Sequence, residues 1–184
     1  MMSLVIFSWA RFFRHYRKNN IQLITYNAFK WHNPKFTASG NVWNAVSINA
    51  SYIVFDGFEL EGNNANITYA TTFESYTNYL INVKDWARIA NFNTNALTIG
   101  GPATESKFPH HFIIRNCKVH DFPGGGINAI QSDYVTIENN LVYNNAWYMM
   151  YAGSPSTNFK FRALHLEQRT FCFRIKRRKR VVVF

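Results

Sequence analysis

The chain has 184 residues, enough for one domain with a packed core, and 47% of them are hydrophobic. Charged residues make up 16% and aromatic residues 17%, a balance that suits an extended β surface better than a helical bundle. The net charge of +10 sits at the ends: six Lys/Arg and no acids from Met1 to Lys35, nine Lys/Arg against Glu167 from Thr157 to Phe184, five Lys/Arg against nine Asp/Glu between. The middle therefore has no basic stripe to follow a phosphate backbone, and nucleic acid is not expected as a partner.

In chain order, residues 1–34 form an N-terminal segment without a clear pattern. Its apolar run, Leu4 to Ala10, is short and is followed, not preceded, by positive charge. No convincing secretion signal is read there, and no run in the chain approaches the length of a membrane span. The patterned part, residues 35–156, contains three similar segments: "YIVFDGFELEGNN" from Tyr52, "HFIIRNCKVHDFP" from His111 and "YVTIENNLVYNNA" from Tyr134. Each opens with an alternating strand whose inward residues are expected to be Ile53 and Phe55, Phe112 and Ile114, Val135 and Ile137. A polar corner follows, at Asp56-Gly57, Arg115-Asn116 and Glu138-Asn139. Then comes a second inward pair: Phe58 and Leu60, Cys117 and Val119, Asn140 and Val142.

A further short strand precedes each segment: "NAVSINAS", "NALTIGG" and "GINAIQSD". The first and third of these align without a gap, Ala45 with Ile127, Ile48 with Ile130, Ser51 with Asp133 and Tyr52 with Tyr134. Another rung opens at "WYMMYAGS", Trp147 to Ser154. No single rung can bury its apolar residues alone, so the rungs are expected to stack, with like residues in columns and asparagines bonding along them. The glycines at 124 to 126 are expected to permit a bend.

Residues 65–94 interrupt the period, with helical character expected between Tyr69 and Ile89. A shorter loop runs from Gly101 to His110. Insertions of this kind tend to gather on one face of a solenoid, often the binding face. Residues 157–184 read as a basic tail, non-native or disordered, and the whole as a piece of a longer solenoid. Of the two cysteines, Cys117 is expected to fill an apolar slot; there is neither a disulfide framework nor a metal-binding spacing.

On "HHFIIRNCKVHDFPGGGI" and "SDYVTIENNLVYNNAW", residues 35–156 resemble the right-handed parallel β-helix repeat proteins of the pectate-lyase-like group. The resemblance implies an all-β solenoid, here of about three to four rungs with a partly helical insertion. It also implies an extracellular or cell-surface protein acting on polysaccharide, as a lyase or glycoside hydrolase. A non-catalytic glycan-binding or adhesin segment is the alternative. The resemblance alone would admit Ca²⁺; the acidic clusters that would hold it are not evident, and no metal ligand is assigned.

A lyase needs a base and positive charge near a developing enolate. His120, oriented by Asp121, is the candidate base, with Lys118 and Arg115 as candidate cations. The plainer reading makes His120 a ladder residue between Glu61 and Tyr143, Asp121 a turn residue, and Lys118 and Arg115 a solvated face. The neighbouring His110 and His111 are expected to point to opposite faces of a strand. Trp43, Trp147, Tyr148 and Tyr151 are the candidate sugar-stacking residues, or else inter-rung packing.

Overall fold

The computed structural model describes residues 15–18, 21–38, 42–64, 68, 70, 73, 77, 94–101, 108–153, 157–162 and 165–167, with backbone alone at 15–18, 21, 22, 157 and 165–167. These residues hold fifteen strands: β1 (His15–Lys18), β2 (Ile21–Asn27), β3 (Lys35–Thr37), β4 (Asn44–Ile48), β5 (Ile53–Asp56), β6 (Glu59–Glu61), β7 (Asn95–Ile99), β8 (His110–Arg115), β9 (Lys118–His120), β10 (Gly125–Ala129), β11 (Asp133–Glu138), β12 (Leu141–Tyr143), β13 (Tyr148–Ala152), β14 (Thr157–Arg162) and β15 (His165–Glu167).

They form three sheets: sheet A, β1-β2-β5-β8-β11-β14; sheet B, β15-β12-β9-β6-β3; and sheet C, β13-β10-β7-β4. Every pairing is parallel except β1 with β2. From β2 onward the chain visits sheets A, B and C in turn, which is the path of a parallel β-helix.

The inward residues fall in the columns that their alternation predicts. Phe55, Ile114, Ile137 and Phe161 are in register in sheet A, and Leu60, Val119 and Val142 in sheet B. Phe112, Ile114, Val119, Ile137 and Val142 are buried. Each such side chain contributes about 1.5–3 kcal/mol of burial, and only stacking supplies it.

The corners bend at left-handed residues. Gly57, Asn116 and Asn139 turn the chain from sheet A to sheet B, and Asp121 and Asn144 turn it from sheet B toward sheet C. Glycine, asparagine and aspartate reach this conformation most readily. Tyr52, His111 and Tyr134 adopt it at the start of the sheet A strands, where bulky residues rarely do. Their rings form one stack, 5.1 Å from Tyr52 to His111 and 4.8 Å from His111 to Tyr134.

Four expectations need correction. First, the rungs extend beyond residues 35–156. Strand β2 adds to sheet A before that span, and β14 and β15 continue sheets A and B after it; with β3, which opens the span, each of these sheets has five parallel strands. Phe159 and Phe161 alternate like Val135 and Ile137, but basic neighbours mask that pattern in the sequence. Second, sheet C is offset by one residue from the gapless alignment. Val46, not Ala45, pairs through Leu97 to Ile127, and Ile48 pairs through Ile99 to Ala129. The third rung carries one more residue than the first in the corner that follows, where Gln131 is left-handed.

Third, the expected bend is present but falls at Pro123-Gly124, while Gly125 and Gly126 lie within β10 without positive φ and supply space. A Cβ on Gly125 would lie 2.1 Å from the Tyr148 ring, and one on Gly126 would lie 2.3 Å from the Met149 carbonyl oxygen. Fourth, His110 and His111 do not point apart. The left-handed φ of His111 breaks strand alternation, and the two Nδ1 atoms lie 2.8 Å from each other. The helical character expected between Tyr69 and Ile89 lies almost wholly outside the described residues, as do residues 168–184.

Candidate functional site

The outward face of sheet B carries the first group of candidates. Strands β6 and β9 set Glu59 beside Lys118 and Glu61 beside His120, and β12 sets Tyr143 on the far side of His120. Glu59 Oε1 accepts from Lys118 Nζ at 3.1 Å and lies 2.9 Å from His120 Nε2. Asp121, left-handed, turns its carboxylate back so that Oδ2 lies 2.6 Å from His120 Nδ1. Its other oxygen accepts from the Asn144 amide. Tyr143 lies flat on the imidazole, 4.8 Å away and 7° from parallel. His120 is 3% exposed.

Both imidazole nitrogens thus meet a carboxylate oxygen. Carboxylates are acceptors when ionised, so both bonds form together with a doubly protonated ring or with one protonated acid. The His120 bond, reinforced by Lys118, holds the Glu59 carboxyl below its usual range against the opposing effect of burial. The same contact raises Lys118, and Glu61 raises Lys35 in the same way.

Glu59, Glu61 and His120 offer three donor atoms within 4.8 Å of one another. They do not fit calcium, which takes six to eight oxygen ligands. Here one donor is an imidazole nitrogen, and the two glutamates are engaged by Lys118 and Lys35, the latter at 2.8 Å.

Arg115 is not part of this group. It closes strand β8 in sheet A, where its Nε donates to Asp56 Oδ2 at 2.8 Å and Asn116 donates to Oδ1 at 2.7 Å. Asp56, Arg115, Glu138 and Arg162 follow one another in register, a column of alternating charge.

The aromatic candidates lie on sheet C. Asn44, Asn95, Gly125 and Tyr148 are in register across it, so the residues just before them, Trp43, Thr94, Gly124 and Trp147, form the adjacent row. Main-chain bonds join that row: Asn95 N to Trp43 O, Gly124 N to Thr94 O, and Trp147 N to Gly124 O. Two tryptophans, 46% and 48% exposed, therefore stand at opposite edges of the sheet with a threonine and a glycine between them. Three strand spacings separate them, about 14 Å.

Tyr148 and Tyr151 stand beside Trp147, with Tyr151 exposed and its ring 5.3 Å from Tyr148. Burial raises the Tyr148 phenol. The amides on this face were not singled out from the sequence. Asn44 Oδ1 accepts from Thr98 Oγ1 at 2.6 Å and from Asn95 Nδ2 at 3.2 Å, and Asn128 Nδ2 donates to Thr98 Oγ1 at 3.3 Å. The Asn128 carbonyl oxygen is buried without a hydrogen-bond partner. Their signal lay in register, which the one-residue offset concealed.

Both interruptions of the period flank this sheet. The long one leaves β6 and returns at β7, and the shorter one leaves β7 and returns at β8. The catalytic candidates and the stacking candidates therefore occupy different sheets.

The model of the right-handed β-helix region matches residues 44–183. The chain belongs to the right-handed β-helix family. No curated protein and no solved structure matches it at a significant level. Within the family fold, a right-handed solenoid of three sheets, nothing in the match assigns an activity. Among the described residues, no helix of this β-helix protein is long and apolar enough to cross a membrane.

Proposed function

We propose that this β-helix binds an extracellular polysaccharide through the exposed tryptophans at the two edges of sheet C. The observation that carries the reading is the Trp43–Thr94–Gly124–Trp147 row, with an exposed indole at each edge and small residues between. Indole rings offer flat apolar faces for sugar C–H groups, and each tryptophan makes its own contact at an edge of the sheet, since Thr94 and Gly124 between them are buried. Thr98 and Asn128 are buried and bond to Asn44 and to each other, so they order the sheet beneath the two indoles and do not face the sugar. Both interruptions of the period join strand β7, one at each of its ends.

A second reading, polysaccharide lyase or glycoside hydrolase, rests on the Glu59–His120–Asp121 chain of contacts. For His120 to take a substrate proton, one of its two carboxylate contacts must first open. Glu59 retains Lys118 as a partner if it does. Binding without turnover needs no such rearrangement.

The test is calorimetric titration of the chain with a panel of neutral and acidic polysaccharides, together with an ultraviolet assay for unsaturated products. Binding that falls about tenfold or more in both Trp43→Ala and Trp147→Ala, without product, supports the reading. Unsaturated or reducing-end product that is lost in His120→Ala supports the enzyme instead. Binding indifferent to both tryptophans removes sheet C from the account.

A further inference from the structure

The corner between sheets A and B is two residues long in three consecutive rungs: Gly57-Phe58, Asn116-Cys117 and Asn139-Asn140. Between β2 and β3 it is seven residues, Ala28 to Pro34, "AFKWHNP". The strands on both sides keep their register, Asn27 with Asp56 and Lys35 with Glu59, so the five extra residues leave the solenoid without altering it. Both feet are fastened, by Ala28 N to Asp56 O and by Glu59 N to Pro34 O.

His32 N donates to Phe29 O and closes a tight turn at the tip. Trp31 takes the third position of that turn with φ of 73°, a place that glycine ordinarily fills. Its side chain is 89% exposed. A bulky residue held in a strained conformation and directed into water does nothing for the fold, and strain of this kind points to function. Lys30 Nζ sits 5.1 Å from the centre of the indole, and the Phe29 and His32 rings lie 5.6 Å apart beneath it in sequence.

The surroundings are free of unpaired negative charge among the described residues. Asp56 is the first acid in the sequence, and its carboxylate is held by Arg115 and Asn116. Glu61 is held by Lys35.

We propose that the Ala28–Pro34 corner is a second carbohydrate-binding site, selective for acidic sugars. The Trp31 indole is the platform for the apolar face of one sugar ring, and the Lys30 ammonium receives its carboxylate or sulfate. This corner joins sheets A and B, whereas the face proposed above is sheet C, so the two sites stand or fall separately.

The experiment titrates the full chain with galacturonate oligosaccharide, its neutral methyl ester, a sulfated galactan oligosaccharide and phosphatidylglycerol vesicles. It does so in the Trp43→Ala/Trp147→Ala background, which removes the sheet C contribution. At least one acidic oligosaccharide is expected to bind, and the one that does names the anion. That affinity is expected to fall about tenfold or more in Trp31→Gly and in Lys30→Met, and to weaken with added salt. Glycine suits the left-handed position, so the loss cannot be ascribed to a broken turn. Methyl ester binding as well as the acid, affinity unchanged in Trp31→Gly, or vesicles binding where neither oligosaccharide does would each overturn the proposal. Loss of all binding in the background variant also overturns it, and leaves the sheet C reading standing.

Discussion

Asn140 and Asn145 make the same pair of bonds. Each accepts from a main-chain N–H 23 residues back, of Cys117 and of Phe122, and donates to a carbonyl 26 residues back, of Ile114 and of Val119. Both amides are buried, so each satisfies two main-chain groups at a corner that solvent cannot reach.

Asn140→Ala leaves those groups unpaired beside a small void. A loss of about 2–4 kcal/mol is expected, read by urea denaturation, with Asn145→Ala similar. Asn144→Ala, nearer the surface, is the comparison and is expected to cost less.

Gly125 and Gly126 are expected to respond differently to the same change. In Gly126→Ala the added carbon meets main chain of the next rung, the Met149 carbonyl, and the stack must open at a cost of about 2–3 kcal/mol. In Gly125→Ala it meets the Tyr148 ring, which can rotate away. That variant is expected to keep most of its stability while weakening polysaccharide binding. Denaturation and titration of both variants separate the two effects.

His111 is held below the ordinary histidine range, first by burial and then by the neighbouring charge of His110. The unfolded chain therefore takes up a proton there as pH falls through about 6.5, while the folded chain resists. Stability is expected to decline as pH falls below that point. His111→Tyr keeps the stack with Tyr52 and Tyr134 and should remove His111's share of that slope, measured as melting temperature between pH 7.5 and 5.

Glu59 acts in the same direction in a lower window. Its carboxyl is held low by His120 and then Lys118, so its contribution is complete above the unfolded value of about 4.3 and is lost as pH falls through the folded one. Glu59→Gln is expected to cost about 1–3 kcal/mol at pH 7 and progressively less below pH 4. A gap between the two proteins that stays constant with pH would count against the ion-pair account.

The fold was legible where the solenoid repeats itself. Ile53 and Phe55, Phe112 and Ile114, and Val135 and Ile137 declare alternation, and their spacing of one rung declares stacking. The ends were less legible because basic residues share strands with Phe159 and Phe161, and composition outweighed period. The ladder of Glu61, His120 and Tyr143 could be read from alignment alone. The reach of Glu59 to His120 could not, because it runs diagonally between columns. The contact of His110 with His111 turns on one backbone angle that the strand alternation around it does not announce. The common row of Trp43 and Trp147 was hidden by a single added residue in a corner.

Leu60 and Val119 are 59 positions apart and lie in adjacent rungs, while Val119 and Val142 achieve the same contact over 23. Closing the longer loop costs only about 0.8 kcal/mol more in chain entropy, because that term grows with the logarithm of length. Thirty-six additional residues are thus carried almost free of thermodynamic charge. The stack behaves as a chassis: its rungs are constrained residue by residue, while what is hung between β6 and β8 on either side of β7 can lengthen, shrink or be exchanged with little effect on the frame.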